Sequence, residues 1–459
     1  PLPTPDLDVR EVAWSPTGDQ LVICAKRVRD LGRTLDTDLF VLDRDGGRLR
    51  QLTRNPGPDQ HPRWFAPDRL AYQSHPDSLH ESEPARLLVC DPATGRQHAR
   101  LLDGFDDCVW GIWEHAGRFY ARGAERGAAA LFAVDAGGVT RLTPPGHNCW
   151  DVRFGRRRAV VWAQNQTSAG ALHVVDLDGG ESELLLDPAA RWRERVQLSE
   201  PEPFTVTVDG RAIEGWVYRP TGHQAGQRLP TVLSIHGGPE WMYGGYFLPE
   251  FHVLPTFGYV VLAANPTGST GYGEEFMNAV RGDWVGRPAR ELQAVIDHAV
   301  AAGWTDPDLL AVMGGSYGGH LAAALTTQTD RFRAAACDRM YPQTAMFWGA
   351  TDEKWFPEWE FGGRPFDPQA REIYRRNDPF HDIARVTTPT LLSHGLHDYR
   401  CPQDGTLAWY SALQSLGVPS RLLRFHDEGH GIRGVENQVF YLHQLLAWFE
   451  AHVLEAGSP

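Results

Sequence analysis

The sequence is short of cysteine, of long apolar runs and of positive charge, and each shortage removes a class of protein. Its six cysteines, Cys24, Cys90, Cys108, Cys149, Cys337 and Cys401, are scattered over 459 residues with no C-x-x-C pair and no zinc-finger spacing. They read as buried free thiols of a reducing cytoplasm and argue against a disulfide scaffold or a thiolate metal site. No window approaches the roughly 18–20 consecutive apolar residues that span a bilayer. The opening Pro1-Leu2-Pro3-Thr4-Pro5 has neither the basic nor the apolar region of a secretory leader, and it lacks an initiator methionine, as a processed, trimmed or partial chain does. With 44 basic and 58 acidic side chains the formal charge is −14, a field that favours neither nucleic acid nor an anionic membrane. Basic runs such as Arg156-Arg157-Arg158 are too short to track a phosphate backbone.

What is present is globular. Apolar residues make up 42% and charged residues 22%, and the length implies more than one domain. The first part of the chain repeats. Leu39-Phe40-Val41-Leu42-Asp43, Leu87-Leu88-Val89-Cys90-Asp91, Leu131-Phe132-Ala133-Val134-Asp135 and Leu172-His173-Val174-Val175-Asp176 share one pattern, with their aspartates 48, 44 and 41 positions apart. A Gly-containing turn follows each, and an aromatic-rich strand precedes each, as in Arg63-Trp64-Phe65. Short strands at this period predict β-propeller blades of four strands, about four blades over residues 1–195, with further blades expected on the N-terminal side. One aspartate per repeat suits a turn better than a metal site.

From about residue 196 the pattern changes. A hairpin over Phe204 to Tyr218 leads into apolar strands at Thr231 to Ile235, Tyr259 to Ala264, Leu309 to Met313, Arg333 to Cys337, Thr388 to Ser393 and Ser420 to Phe425. Helix-period stretches lie between them, such as Leu292, Val295, Ile296, Ala299 and Val300. Buried strands alternating with helices predict an α/β fold over 196–459, a mostly parallel sheet covered on both faces, with its site at the carboxyl ends of the strands.

Gly314-Gly315-Ser316-Tyr317-Gly318 stands between a strand and the helix-like His320 to Leu325, the setting of a nucleophile elbow. G-x-S-x-G alone is as often a glycine-rich turn. A serine nucleophile also needs a base and a carboxylate that orients it. His430, in Gly429-His430-Gly431 before the last helix, is the candidate base, ahead of His426 at a strand end. Asp398 follows the strand Thr388 to Ser393 and is the candidate carboxylate, although by itself it would read as a turn residue. The order Ser316, Asp398, His430 is that of α/β hydrolases. His236-Gly237-Gly238-Pro239 follows another strand. The N–H groups of Gly238 and Tyr317 are the expected oxyanion donors, with His236 structural or a pocket wall.

At these residues the chain resembles the prolyl oligopeptidase family of serine peptidases, in its acylaminoacyl-peptidase branch. The matching motifs also include Asn265-Pro266-Thr267-Gly268-Ser269-Thr270-Gly271-Tyr272-Gly273, Gly282-Asp283-Trp284, His394-Gly395 and Asp398-Tyr399-Arg400. The resemblance implies a propeller that screens substrates by size, the triad named above, a cytoplasmic enzyme and a homo-oligomer. The chain departs from the family pattern at Thr267, at Val285-Gly286, in the number of blades and in lacking the paired glutamates of dipeptidyl members.

The expected reaction is acyl transfer on short peptides, with no metal and no cofactor. Phe347, Trp348 and Trp355 either line a side-chain pocket or pack the domains. Arg400 either binds a substrate carbonyl or carboxylate or supports its loop through an ion pair. The rival readings are a carboxylesterase on the same fold and a non-catalytic propeller that binds a partner.

Overall fold

The computed structural model describes residues 6–27, 32, 34–75, 82–179, 182–224 and 226–455. The reading of Pro1-Leu2-Pro3-Thr4-Pro5 lies outside the described residues. Packing divides the chain into two units. One runs to Ala189 and takes in the short segment Thr270–Glu274; the other comprises Ala190–Ser269 and the residues from Glu275 onward.

The first unit holds four antiparallel sheets of four strands, each strand pairing with the next in sequence. The first contains β1 (Leu7–Trp14), β2 (Gln20–Arg27), β3 (Asp38–Asp43) and β4 (Leu49–Gln51), and the second β5 (Asp59–Ala66), β6 (Arg69–Ser74), β7 (Arg86–Cys90) and β8 (Gln97–Leu101). The third contains β9 (Val109–His115), β10 (Arg118–Glu125), β11 (Ala128–Asp135) and β12 (Gly138–Arg141), and the fourth β13 (Asn148–Phe154), β14 (Arg158–Asn165), β15 (Ser168–Asp176) and β16 (Ser182–Leu186). These are propeller blades.

Because side chains alternate across a strand, each middle blade feeds two cores. On β6, Leu70 and Tyr72 join Val22 and Leu39 of the first blade, while Ala71 joins Ile112 and Phe132 of the third. Tyr120 and Leu131 then pack with Val161 and Val175 of the fourth. The repeated aspartates close turns. Asp91, Asp135 and Asp176 accept the N–H two residues ahead, from Ala93, Gly137 and Asp178. In the first blade Asp45 takes that role, and Asp43 accepts from the Gln20 amide instead.

The second unit is built on one eight-stranded sheet. Its strands are β17 (Pro201–Val208), β18 (Arg211–Tyr218), β19 (Leu229–Ile235), β20 (Val260–Asn265), β21 (Thr305–Gly315), β22 (Phe332–Asp338), β23 (Thr390–Gly395) and β24 (Ser420–Phe425). The order is β17-β18-β20-β19-β21-β22-β23-β24, antiparallel through β17, β18 and β20 and parallel from β20 to β24. The strands are apolar on both sides because both faces are covered. Leu233, Leu262 and Val312 lie in one buried cluster, and their neighbours Val232, Val261 and Ala311 lie in the other.

Helix Arg287–Ala301 turns Leu292, Val295, Ile296 and Ala299 into the first cluster, and helix Val435–Phe449 gives Leu445, Trp448 and Phe449 to the second. Each fully buried aliphatic of this kind contributes about 1.5–3 kcal/mol. Among the described residues no helix is long and apolar enough to cross a membrane.

Candidate active site

β21 ends at Gly315, and the helix Tyr317–Gln328 starts two residues later. Ser316 joins them with φ 61° and ψ −126°, a backbone conformation that L-residues rarely adopt. The sharp turn is possible because the helix start runs against a neighbouring strand. A Cβ at Gly318 would stand 2.2 Å from the Ile235 carbonyl oxygen at the end of β19. Only glycine fits there, so the G-x-S-x-G pattern has a steric cause. The Ser316 N–H donates to the Asp338 carbonyl at the end of β22 (3.0 Å), which fixes the elbow to the next strand.

Asp398 lies just past the end of β23 and His430 past the end of β24, at the same edge of the sheet as Ser316. His430 Nδ1 is 2.8 Å from Asp398 Oδ2. Asp398 Oδ1 accepts the N–H groups of Arg400 (3.0 Å) and Cys401 (2.9 Å). Burial by itself would push the Asp398 carboxyl up. Hydrogen bonds from His394 and His430, with the Cys401 N–H, outweigh it and hold the carboxyl well below the usual carboxylate range.

The two loops meet closely: a Cβ at Gly395 would lie 2.2 Å from the Gly429 carbonyl oxygen. Beside them is a cavity of about 630 Å³ lined by residues 427–431 with Arg433, Gly434 and Asn437. No hydrogen bond closes between His430 and the Ser316 hydroxyl. That hydroxyl meets the Cys401 thiol, which burial pushes up and the contact with Ser316 pulls down. A base–nucleophile contact commonly tightens only when substrate is bound.

The His236-Gly237-Gly238-Pro239 loop follows β19 and adjoins the serine: a Cβ at Gly237 would be 3.3 Å from Ser316 Cβ and 3.9 Å from its Oγ. Gly238 has φ 121°. His236 is buried, with Nε2 2.9 Å from Ser269 Oγ and Nδ1 2.7 Å from the Gly237 carbonyl. Burial pushes it down to about 4, so it is neutral at pH 7 and suits a scaffold rather than a base. Tyr317 donates its hydroxyl to the Trp284 carbonyl (2.8 Å) and packs edge-on to the Trp284 ring.

The remaining predicted residues are engaged in the fold. Arg400 pairs with Asp352 (3.0 Å) and Glu353 (2.7 Å). Phe347 is buried against Tyr341, Trp348 donates to Glu358 (2.8 Å), and Trp355 is buried beside Phe356.

Several residues that shape the site gave no motif signal. Glu428 accepts from the Arg433 N–H (2.9 Å), the Gly434 N–H (2.9 Å) and Asn437 Nδ2 (2.7 Å), clamping the loop that carries His430. Glu291 holds Thr267 at both its N–H (2.7 Å) and its hydroxyl (2.6 Å). Glu360 accepts from Trp284 Nε1 (2.7 Å). A carboxylate in these stretches looks the same in the sequence as the many that face solvent. Among the described residues no group of three His, Cys, Asp or Glu side chains is placed to hold a metal ion.

The eight-stranded sheet with its strand–Ser316–helix elbow defines an α/β hydrolase, and β-propeller blades precede it. Residues 246–455 match the prolyl oligopeptidase family. Over 390 residues the chain is 30% identical to the uncharacterized peptidase YuxL of Bacillus subtilis, a match covering 82% of this chain and 59% of that protein. Over 460 residues it is 25% identical to dipeptidyl-peptidase 5 of Porphyromonas gingivalis, covering 96% of this chain and 66% of that one. The solved Pyrococcus horikoshii acylaminoacyl peptidase shares the fold, with a TM-score of 0.86 at 24% identity over 98% of this chain and 72% of its own. The family match lies in residues 246–455, within the hydrolase unit apart from Thr270–Glu274. The chain spans 59% and 66% of the length of these two curated relatives.

Proposed function

We propose that the chain is a serine peptidase that hydrolyses short peptides through an acyl-enzyme. Ser316 Oγ attacks the carbonyl carbon as His430 takes its proton. Asp398 holds the imidazole with Nδ1–H toward Oδ2 and stabilises the imidazolium that forms. The N–H groups of Gly238 and Tyr317 donate to the developing oxyanion, each contributing about 3–4 kcal/mol to the transition state. His430 then protonates the leaving amine, and water repeats the sequence in reverse to release the acid. The residues need neither a metal nor a cofactor for this chemistry.

The observation that carries the proposal is the strained Ser316 at the end of β21 together with the 2.8 Å His430–Asp398 pair at the same sheet edge. Acylaminoacyl and dipeptidyl activities differ in whether the substrate's N-terminus is blocked or free, and relatives of both names support the shared peptidase chemistry.

The test is fluorophosphonate labelling of the folded chain. The expected result is labelling that disappears in Ser316→Ala; an unlabelled folded protein overturns the proposal. Hydrolysis of acetyl-Phe-p-nitroanilide compared with free dipeptidyl-p-nitroanilides then identifies the substrate end. A kcat/KM for both far below that for p-nitrophenyl esters would support the carboxylesterase reading instead. The proposed localisation is cytoplasmic and the proposed assembly a homo-oligomer, both resting on the family resemblance.

A further inference from the structure

A short segment between β20 and β21 belongs with the blades: Thr270–Glu274 packs in the first unit, although Ser269 before it and Glu275 after it do not. Asp107, just ahead of β9, holds it there. Asp107 is buried, and its carboxylate accepts three backbone N–H groups, Oδ1 from Cys108 (2.8 Å) and Gly271 (3.0 Å) and Oδ2 from Gly273 (2.9 Å). A backbone N–H can only donate, so both oxygens must offer lone pairs, and an asparagine here would turn its NH2 group on one of the donors. The Arg126 N–H adds a bond to the Gly271 carbonyl (3.0 Å). Gly273, at φ 94°, fits against Asp106, whose Oδ2 would be 3.0 Å from an added Cβ. Asp91 and Asp135 accept N–H groups two residues away and close turns, whereas two of the groups that Asp107 holds are 164 and 166 residues away.

One residue before this segment, the chain supports the oxyanion loop. Ser269 is fully buried, with Oγ 2.9 Å from His236 Nε2, and His236 Nδ1 lies 2.7 Å from the Gly237 carbonyl oxygen. That carbonyl and the Gly238 N–H belong to one planar peptide group, so whatever fixes the carbonyl also fixes the direction of the N–H. Gly268 touches the same loop: a Cβ there would be 3.1 Å from Pro239 Cβ. On the other side of Ser269, the buried Glu291 grips Thr267 at its N–H and its hydroxyl. The stretch from Thr267 to Gly273 is tied down at each end by a buried carboxylate, with the support of the oxyanion loop between them.

We infer that Asp107, a residue of the propeller unit, is a positioning residue for the oxyanion hole. It acts through the peptide chain. By fixing Gly271 and Gly273 it limits where Ser269 can stand, and Ser269 sets His236 and the Gly237–Gly238 peptide. Glu291 supplies the matching anchor from within the hydrolase unit. The inference rests on the proposed serine-hydrolase reading, because only there does the Gly238 N–H have a reaction to serve.

The test compares Asp107→Asn and Asp107→Ala in the full chain, with Asp106→Ala as a neighbour that accepts none of these N–H groups. The rate constant for fluorophosphonate labelling of Ser316 is expected to fall about tenfold in Asp107→Asn and further in Asp107→Ala, because the phosphoryl oxygen must enter the oxyanion hole. The kcat should fall by the same factors with KM nearly constant, and Asp106→Ala should label at the parent rate. A parent labelling rate in folded Asp107→Ala overturns the inference, and so does a loss no larger than the fraction of chain unfolded in the melt. If Asp107→Ala does not fold, Gly273→Ala, which puts a side chain at φ 94°, is expected to slow labelling in the same way, and an unchanged rate there overturns the inference. Hydrogen exchange separates the anchor from the chemistry. The Gly271 and Gly273 amides should exchange slowly in the parent and about tenfold faster in Asp107→Asn. An unlabelled parent that shows this difference removes the hydrolase reading and leaves the anchor standing, whereas equal exchange in parent and variant overturns the anchor.

Discussion

The two units are stabilised by the same kind of apolar burial, but they use individual residues differently. In the propeller unit the parts are repeated: four sheets of one design, cores shared between neighbours and aspartate-closed turns. The first blade shows how exchangeable such parts are, since Asp45 takes the role that Asp91 and Asp135 fill elsewhere. In the hydrolase unit the site depends on single positions, where one added methyl or one lost acceptor has no substitute nearby. Repetition spreads structural information over many residues, and a reaction geometry concentrates it in a few.

The sharpest way to break this contrast is at Ser316. Ser316→Ala is expected to lower kcat by at least ~10⁴-fold with the thermal melt little changed. Activity within tenfold of the parent would move the chemistry elsewhere. Next comes Gly395→Ala, whose Cβ would collide with the Gly429 and Glu428 carbonyl oxygens at 2.2 and 2.5 Å. It should displace the His430 loop and cost about 100-fold in kcat/KM, as small misplacements of catalytic groups do. The same replacement at Gly104, which has open space around it, should leave rate and melt near parent values.

Glu360 gives a stability test. Burial pushes its carboxyl up to about 7 from an ordinary 4.5, so the folded state binds this proton more tightly than the unfolded chain. The stabilisation is complete below about pH 4.5 and is lost as pH rises to about 7. Urea melts should show that slope, worth at most about 3 kcal/mol, and Glu360→Gln should flatten it. A wild-type curve with no slope from this group would remove the claim.

Glu428→Ala should free the loop carrying His430 and lower kcat about tenfold with KM nearly constant, measured by steady-state hydrolysis. An equal fall for every loop variant would mean the clamp is not specific. The smallest effect is expected for Asp135→Ala, which opens one blade turn: about 0.5–1 kcal/mol in the melt and no change in kcat. A large rate effect there would end the distinction between the two units.

Much of the fold was legible because burial imposes a period. The apolar runs at 231–235 and 420–425 fall within β19 and β24, and the repeat spacing marked the sheets of the first unit. The strand bounds differed by up to four residues, as at β21, which begins at Thr305 where polar Asp306 and Asp308 hid it. The helix periodicity placed Leu292, Val295, Ile296 and Ala299 in the core but also suggested Val300, which is only partly buried.

Of the candidate site, Ser316, Asp398 and His430 were visible as residues set in glycine-rich or post-strand contexts. The carboxylates that hold those contexts in shape were not. The segment Thr270–Glu274 lay largely inside a motif visible in the sequence, but nothing in that motif showed that it packs with the first unit.

The sequence by itself determined the alternation of strands and helices, the blade repeat and the steric need for glycine at the elbow, because these depend on neighbours close in the chain. Only the tertiary structure decided that His394, Thr406 and Met340 form a hydrogen-bond chain behind Asp398, and that Glu428 clamps the loop of His430. The physical reason is that a hydrogen bond depends on atoms about 3 Å apart in space, and separation along the chain does not report that distance.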